Sequence, residues 1–187
     1  MIVLEHTPAQ LFSKRMVSIK FIQHIQDDLK ALEELSKAPS RMSQKVAYLN
    51  QAYILHLVAH WQVFIEELVQ YGFEMVRRKA PDSPLVTAVE RRLASDVDKF
   101  NTPKKELIDK IFRNNLGIDR ITKSWSDEMI PNNRAFQTLD RVLKARHEIA
   151  HRGETESVLA YGSNYADMET LVEMANVAER RLEHLLS

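Results

Sequence analysis

Apolar residues recur along this chain at three- and four-residue steps, the period of helices that turn one face from water. From about Gln10 to Ser36 the stripe is Leu11, Val17, Phe21, Ile25, Leu29, Leu32 and Leu35, and Ala38-Pro39-Ser40 breaks it. A second helix is predicted from about Ser43 to Lys79. Leu49, Tyr53, Leu57, Trp61, Phe64, Leu68 and Phe73 form its stripe, which Ile54, Val58, Ile65 and Val69 widen. A helix apolar over so broad an arc belongs at the centre of a bundle. Pro81 and Pro84 interrupt it. Shorter helices are predicted over about 84–99 and 103–114, each opening with a proline near its first turn, where the missing N–H costs nothing. The stretch 116–133 is mixed. A strong helix is predicted from about Asn133 to Arg152, stopped by Gly153 as a C′ glycine. After Gly162-Ser163-Asn164, read as a loop, a last helix runs from about Ala166 to Leu186. With no alternating strand pattern and no repeat, the expectation is an all-α bundle of about five to seven helices. Two of these are long and antiparallel, and residues 1–187 form a single domain.

Composition narrows the chemistry. A chain of 187 residues can bury a core without metals or disulfides. The absence of cysteine removes thiolate metal sites and thiol nucleophiles. The 26 basic residues equal the 26 acidic ones, whereas a protein that coats nucleic acid regardless of sequence is strongly basic. Any contact with RNA must therefore use a local patch. No apolar run approaches the roughly 20 residues of a membrane span. The start, Met1-Ile2-Val3-Leu4-Glu5-His6, places an acid where a secretory signal would stay apolar. The expectation is a cytoplasmic protein without a membrane partner.

The informative run is Arg146-His147-Glu148-Ile149-Ala150-His151. On a wheel advancing about 100° per residue, Phe136, Leu139, Leu143 and Ala150 fall on one side of Arg146, and Val142 and Ile149 on the other. Arg146 thus sits within its helix's apolar face. A guanidinium cannot shed its proton to escape burial, so it needs a carboxylate or a phosphate. Glu66 or Glu67 of the second helix would supply a structural carboxylate partner. His147 and His151, four residues apart, share a face at the border of the stripe. Two imidazoles that can move protons, beside a fixed guanidinium that can stabilise charge on phosphorus, suit phosphodiester chemistry. Around them Arg134, Arg141, Lys144 and Arg152 outnumber Asp140 and Glu148, a modest basic patch in which Lys144 and Arg152 are candidate substrate-binding residues.

Arg146, four residues, then His151, near the end of a late helix in an all-α chain, resembles the Arg-x(4–6)-His motif of HEPN domains. Residues 136–153 are similar to the RiboL-PSP-like branch, whose helix ends in Arg-Asn-x-Ile-Ala-His-Gly. Phe64-Ile65-Glu66-Glu67-Leu68 resembles that branch's earlier helix. The sequence departs at His147, in place of the commoner asparagine, and at Arg152, which precedes the glycine. The resemblance implies a HEPN-like bundle that dimerises through the motif-bearing helix, so that two motifs face one RNA-cutting cleft. It implies attack by the ribose 2′-hydroxyl without metal or cofactor, leaving a 2′,3′-cyclic phosphate. It also gives the catalytic roles: His151 as acid or base, Arg146 on the phosphate, His147 in support. A toxin or defence role, with an antitoxin or other protein partner, comes with it. A related branch carries a modifiable tyrosine two residues after the motif histidine; here that position is Gly153, so that mechanism is not expected.

Other readings stand beside this one. The chain can be a non-catalytic module that uses the motif for dimerisation or for binding RNA or a nucleotide. His147-Glu148-Ile149-Ala150-His151 also matches the zinc-peptidase pattern His-Glu-x-x-His, with Glu169 or Glu173 as a further ligand. However, the glycine falls one place early and no third histidine follows. His56 and His60 form another four-residue pair that could complete a four-histidine site. A di-iron bundle would need a second Glu-x-x-His besides Glu148–His151. Arg77-Arg78-Lys79, Arg91-Arg92 and Lys104-Lys105 read most simply as solvated helix surfaces, and Trp61 and Trp125 as packing residues rather than base-stacking platforms.

Overall fold

A computed structural model describes residues 6–35, 42–81, 83–125 and 131–187. Six α-helices occur among them: α1 (Pro8–Leu35), α2 (Met42–Lys79), α3 (Pro84–Asp98), α4 (Lys105–Leu116), α5 (Asn132–Arg152) and α6 (Tyr161–Leu186). A 3-10 turn at Ile121–Ser124 follows α4, and no strand is present among the described residues. The fold is all-α, as the apolar periodicity predicts. The break at Ala38-Pro39-Ser40 lies outside the described residues.

The broad apolar arc of α2 puts it in the middle. Phe12 of α1 packs its ring 5.7 Å from Trp61 and 5.5 Å from Phe64, while Gln26 Nε2 donates to Asn50 Oδ1 at 3.2 Å. Contacts that advance along α1 retreat along α2, so these two long helices are antiparallel. α6 runs parallel to α2. Asn164 Nδ2 donates to Asn50 Oδ1 at 3.0 Å near one end, and the Tyr71 hydroxyl donates to Glu183 at 2.8 Å near the other. Gly72 lies where these helices come close. A Cβ there would lie 2.8 Å from Leu116 Cδ1 and 3.1 Å from Leu182 Cδ2, so a side chain would make those two leucine ends shift. α5 packs against α2 and α6, and buried residues of all six helices join in one cluster.

Two expectations are corrected. The stripe read on α1 is not its core face: Val17, Phe21, Ile25 and Leu32 are 59%, 65%, 48% and 58% exposed. The buried face carries Ala9, Phe12, Met16 and Ile19, with Gln23 and Gln26 buried as well. α1 has apolar residues along opposite lines, and the line that reaches Trp61 and Phe64 turns inward. The Asn50 side chain supplies a polar partner for buried Gln26. Similarly, Gly162-Ser163-Asn164 is the first turn of α6 rather than a loop. Ser163 Oγ accepts from the Ala160 N–H at 3.3 Å, giving that backbone donor at the helix start a partner, and donates to the Ala160 carbonyl at 2.8 Å.

Candidate active site

The geometry of the motif follows from how α5 is held. Ala135, Phe136, Leu139, Val142, Leu143, Ala145 and Ile149 are buried, fixing the rotation of the helix about its axis. Beyond Ile149 the burial stops. Ala150, placed on the apolar side by the wheel, is exposed, as are His151 and Arg152, because the last turn runs past its neighbours. Gly153 closes the helix at φ 77, with its N–H bonded to the Ile149 carbonyl at 2.9 Å. This left-handed conformation is one that a Cβ disfavours. Arg146, half-buried, lies on the buried line near the point where the core gives out and lines the space beside it.

That space is a groove of about 750 Å³. Leu143, Lys144, Arg146, His147, His151 and Asp140 of α5 form one wall; Val58 of α2, Asn101–Lys104 of the α3–α4 connector and Glu106 of α4 complete it. The His147 and His151 ring centroids are 4.4 Å apart. Arg146 is half-buried, and among the described residues no carboxylate pairs with it. The acids expected as its partners are engaged elsewhere. Glu67 takes both guanidinium nitrogens of Arg15, one at 2.8 Å, and Glu66 accepts from Gln62 Nε2 at 2.9 Å. The three motif side chains therefore converge on one groove together with Lys144. Arg152 does not line it.

Glu148 turns the other way. Its carboxylate accepts from the Thr155 hydroxyl and from the Glu156 N–H at 3.3 Å, with Lys144 Nζ 3.8 Å off. This ties the segment after α5 back onto the helix. The Thr155 hydrogen bond, against the cost of burial, holds the Glu148 carboxyl below its ordinary value, helped by the Glu156 N–H, Lys144 and Arg152. A depressed carboxyl contributes stability above its unfolded value, near pH ~4.3, and loses it as pH falls through the lower folded value. The melting-temperature gap between the native chain and Glu148→Gln is expected to hold steady between about pH 5 and 7 and to shrink toward about pH 3. A gap of the same size at every pH would mean the charge is not what anchors the segment.

Among the described residues the candidate donors are not brought together as a metal site. Glu148 is turned away from the two motif rings. Glu169 and Glu173 border a different groove, with Lys20 and Arg134. No group of three histidine or carboxylate side chains that could hold a metal occurs among the described residues. His56 and His60 do not join the motif histidines. Their ring centroids are 6.2 Å apart, two residues either side of Val58 and so on the opposite face of α2 from the groove. Burial, then the Arg15 guanidinium and His56, push the His60 imidazole down.

The far wall of the groove was not legible in the sequence. Gln62 Nε2 donates to the Phe100 carbonyl at 2.7 Å and fixes the connector, which brings Asn101, Thr102 and Lys104 opposite α5. The Lys104-Lys105 pair was the one available signal, and its members part ways: Lys104 lines the groove, while Lys105 Nζ sits 4.8 Å above the Phe136 ring. Trp61 and Trp125 are fully buried, packed edge to face at 6.1 Å, so they are packing residues. No helix among the described residues is long and apolar enough to cross a membrane.

Comparison with known proteins agrees with the motif. No curated protein and no solved structure matches the chain. The model of the RiboL-PSP-HEPN family matches residues 20–180, nearly the whole helical bundle from α1 to α6, and the chain belongs to that family.

Proposed function

We propose that this protein is a metal-independent endoribonuclease whose catalytic residues are Arg146, His147 and His151. The supporting observation is the Arg146 guanidinium, half-buried on a groove beside two imidazoles and without an acid partner among the described residues. A cation that is partly stripped of water and cannot deprotonate is matched by phosphate, whose oxygens fit its planar donors.

In this reading an RNA strand lies along the groove with one phosphate against Arg146. The ribose 2′-hydroxyl attacks that phosphorus; the new O2′–P bond forms as the P–O5′ bond breaks. One imidazole takes the 2′ proton and a protonated imidazole gives one to O5′, leaving a 2′,3′-cyclic phosphate and a 5′-hydroxyl. His151 is the principal acid or base and His147 its support. Arg146 stabilises the charge that builds on the phosphoryl oxygens. Lys144 and Lys104, on facing walls, hold flanking phosphates; Arg152 would contribute only through the wider field. A second copy docked through α5 would bring its own motif to the same strand. A free ribonuclease endangers its own cell's RNA, so a protein partner covering the groove fits this reading.

The peptidase reading loses its general base to Thr155 and Glu156. A non-catalytic binding reading would employ the guanidinium on phosphate but gives the two adjoining imidazoles no proton to move. The test is incubation of the purified chain with end-labelled single-stranded RNA in excess EDTA. Cleavage is expected to continue at its full rate and to yield cyclic-phosphate ends. Activity lost in EDTA and restored by zinc would favour the peptidase-like metal site instead.

A further inference from the structure

The outer face of α1 is apolar and ordered about one residue. Single exposed apolar side chains are ordinary, but an exposed line of Val17, Phe21, Ile25 and Leu32 on one helix is a candidate contact surface. Val17 and Ile25 stand four residues to either side of Phe21, and exposed Lys14 and Asp28 stand seven to either side. At about 100° per residue these five fall within about 40° of one direction. Lys14 also reaches the His6 ring.

Charge along α1 is divided in the same way. Residues 8–21 carry Lys14, Arg15 and Lys20 with no acid, while residues 22–35 carry Asp27, Asp28, Glu33 and Glu34 against Lys30. This order opposes the helix dipole, which favours acids in the first turn and bases in the last; α1 has neither. The arrangement weakens the helix alone and is compensated if an antiparallel copy lies alongside.

We propose that α1 pairs with α1 of a second copy of this chain, antiparallel about a two-fold axis at Phe21. Phe21 then meets Phe21, Val17 meets the second copy's Ile25, and Lys14 meets its Asp28. Each basic half lies along an acidic half, as a self-complementary two-fold contact requires. Glu67, which binds α1 through Arg15, and Val58, which lines the groove, are nine residues apart on α2, half a turn of the wheel. The pairing therefore leaves the groove open and is independent of any docking through α5. A surface one helix wide falls below about 1,200 Å², so the association depends on concentration.

The chain has no cysteine, so Phe21→Cys provides one thiol per chain. Mild oxidation at about 100 µM protein is expected to link two copies, while Glu154→Cys, exposed beyond the end of α5, stays unlinked. Lys14→Glu and Asp28→Lys are each expected to raise the dissociation constant about five- to tenfold, and their combination to return it toward the native value. All four positions are exposed, and circular dichroism checks that helix content is kept. Linking of Phe21→Cys no faster than of the control would overturn the pairing. A combined variant no better than the single ones, or a native chain monomeric at that concentration, would do the same. RNA cleavage is expected to be unchanged in these variants, so failure here and failure of the nuclease reading are told apart.

Discussion

Arg146→Ala is expected to slow RNA cleavage by about a thousandfold, and His151→Ala by a similar factor, without changing helix content. The sizes follow from their roles: a positioned proton-transfer group is worth about 10²–10⁴ in rate, and a donor to the developing oxyanion about 10²–10³. Loss of the Arg146 head should leave the fold intact, because among the described residues no buried carboxylate would be orphaned by it. His151 is exposed at the end of α5, its ring against that of His147, so its loss should cost the fold little. Arg146→Lys should recover only part of the rate, since a point charge does not reproduce the planar fork. Labelled-RNA kinetics beside melting curves check this. Full cleavage by both alanine variants would remove the catalytic assignment, and a collapse of melting temperature in Arg146→Ala would make that residue a packing element.

Trp61→Ala carries the largest expected loss of stability, about 3–5 kcal/mol. The ring is fully buried where α1, α2 and the 3-10 turn meet, with Phe12, Phe64 and Trp125 centroids at 5.7, 5.1 and 6.1 Å. Its indole N–H has no hydrogen-bond partner among the described residues, so the loss is one of packing and cavity formation, and Trp61→Phe should recover much of it. Against a total of about 5–15 kcal/mol for an ordinary domain, the alanine variant sits near the edge of folding. The urea midpoint measures it. Phe21→Ala, on the exposed line of α1, is the contrast: at protein concentrations too low for pairing, it should leave that midpoint nearly unchanged.

What the sequence revealed depended on whether local pattern or long-range packing decided the outcome. The ends of α5 and the central place of α2 were legible, because Gly153 can take the left-handed conformation and an apolar arc as broad as that of α2 has few places to go. The motif was legible because four-residue spacing alone puts His147 beside His151. The inward face of α1 was not legible because its apolar residues lie on opposite lines and only Trp61 and Phe64, some fifty residues away, choose between them. Gly162-Ser163-Asn164 looked like a loop, yet Ser163 caps the helix start locally and Asn164 finds Asn50 across the bundle. For the same reason Glu66 and Glu67 were sensible partners for Arg146 by type, but Arg15, whose position depends on how α1 packs, claims Glu67. Asn101, Thr102 and Lys104 became part of the groove because Gln62 and the burial of Phe100 and Pro103 hold their connector. No local pattern records that contact.

The central claim is that Arg146, His147 and His151 drive attack by a ribose 2′-hydroxyl on the neighbouring phosphorus. The most direct measurement uses an RNA oligonucleotide cut by the native chain, beside the same oligonucleotide with a single 2′-O-methyl group at the nucleotide 5′ of the scissile phosphate. The unmodified strand should be cut there and the methylated strand should remain whole at that bond while still competing for the groove. Equal cutting of both strands would contradict the claim, because the attacking oxygen would then have to come from somewhere other than the RNA.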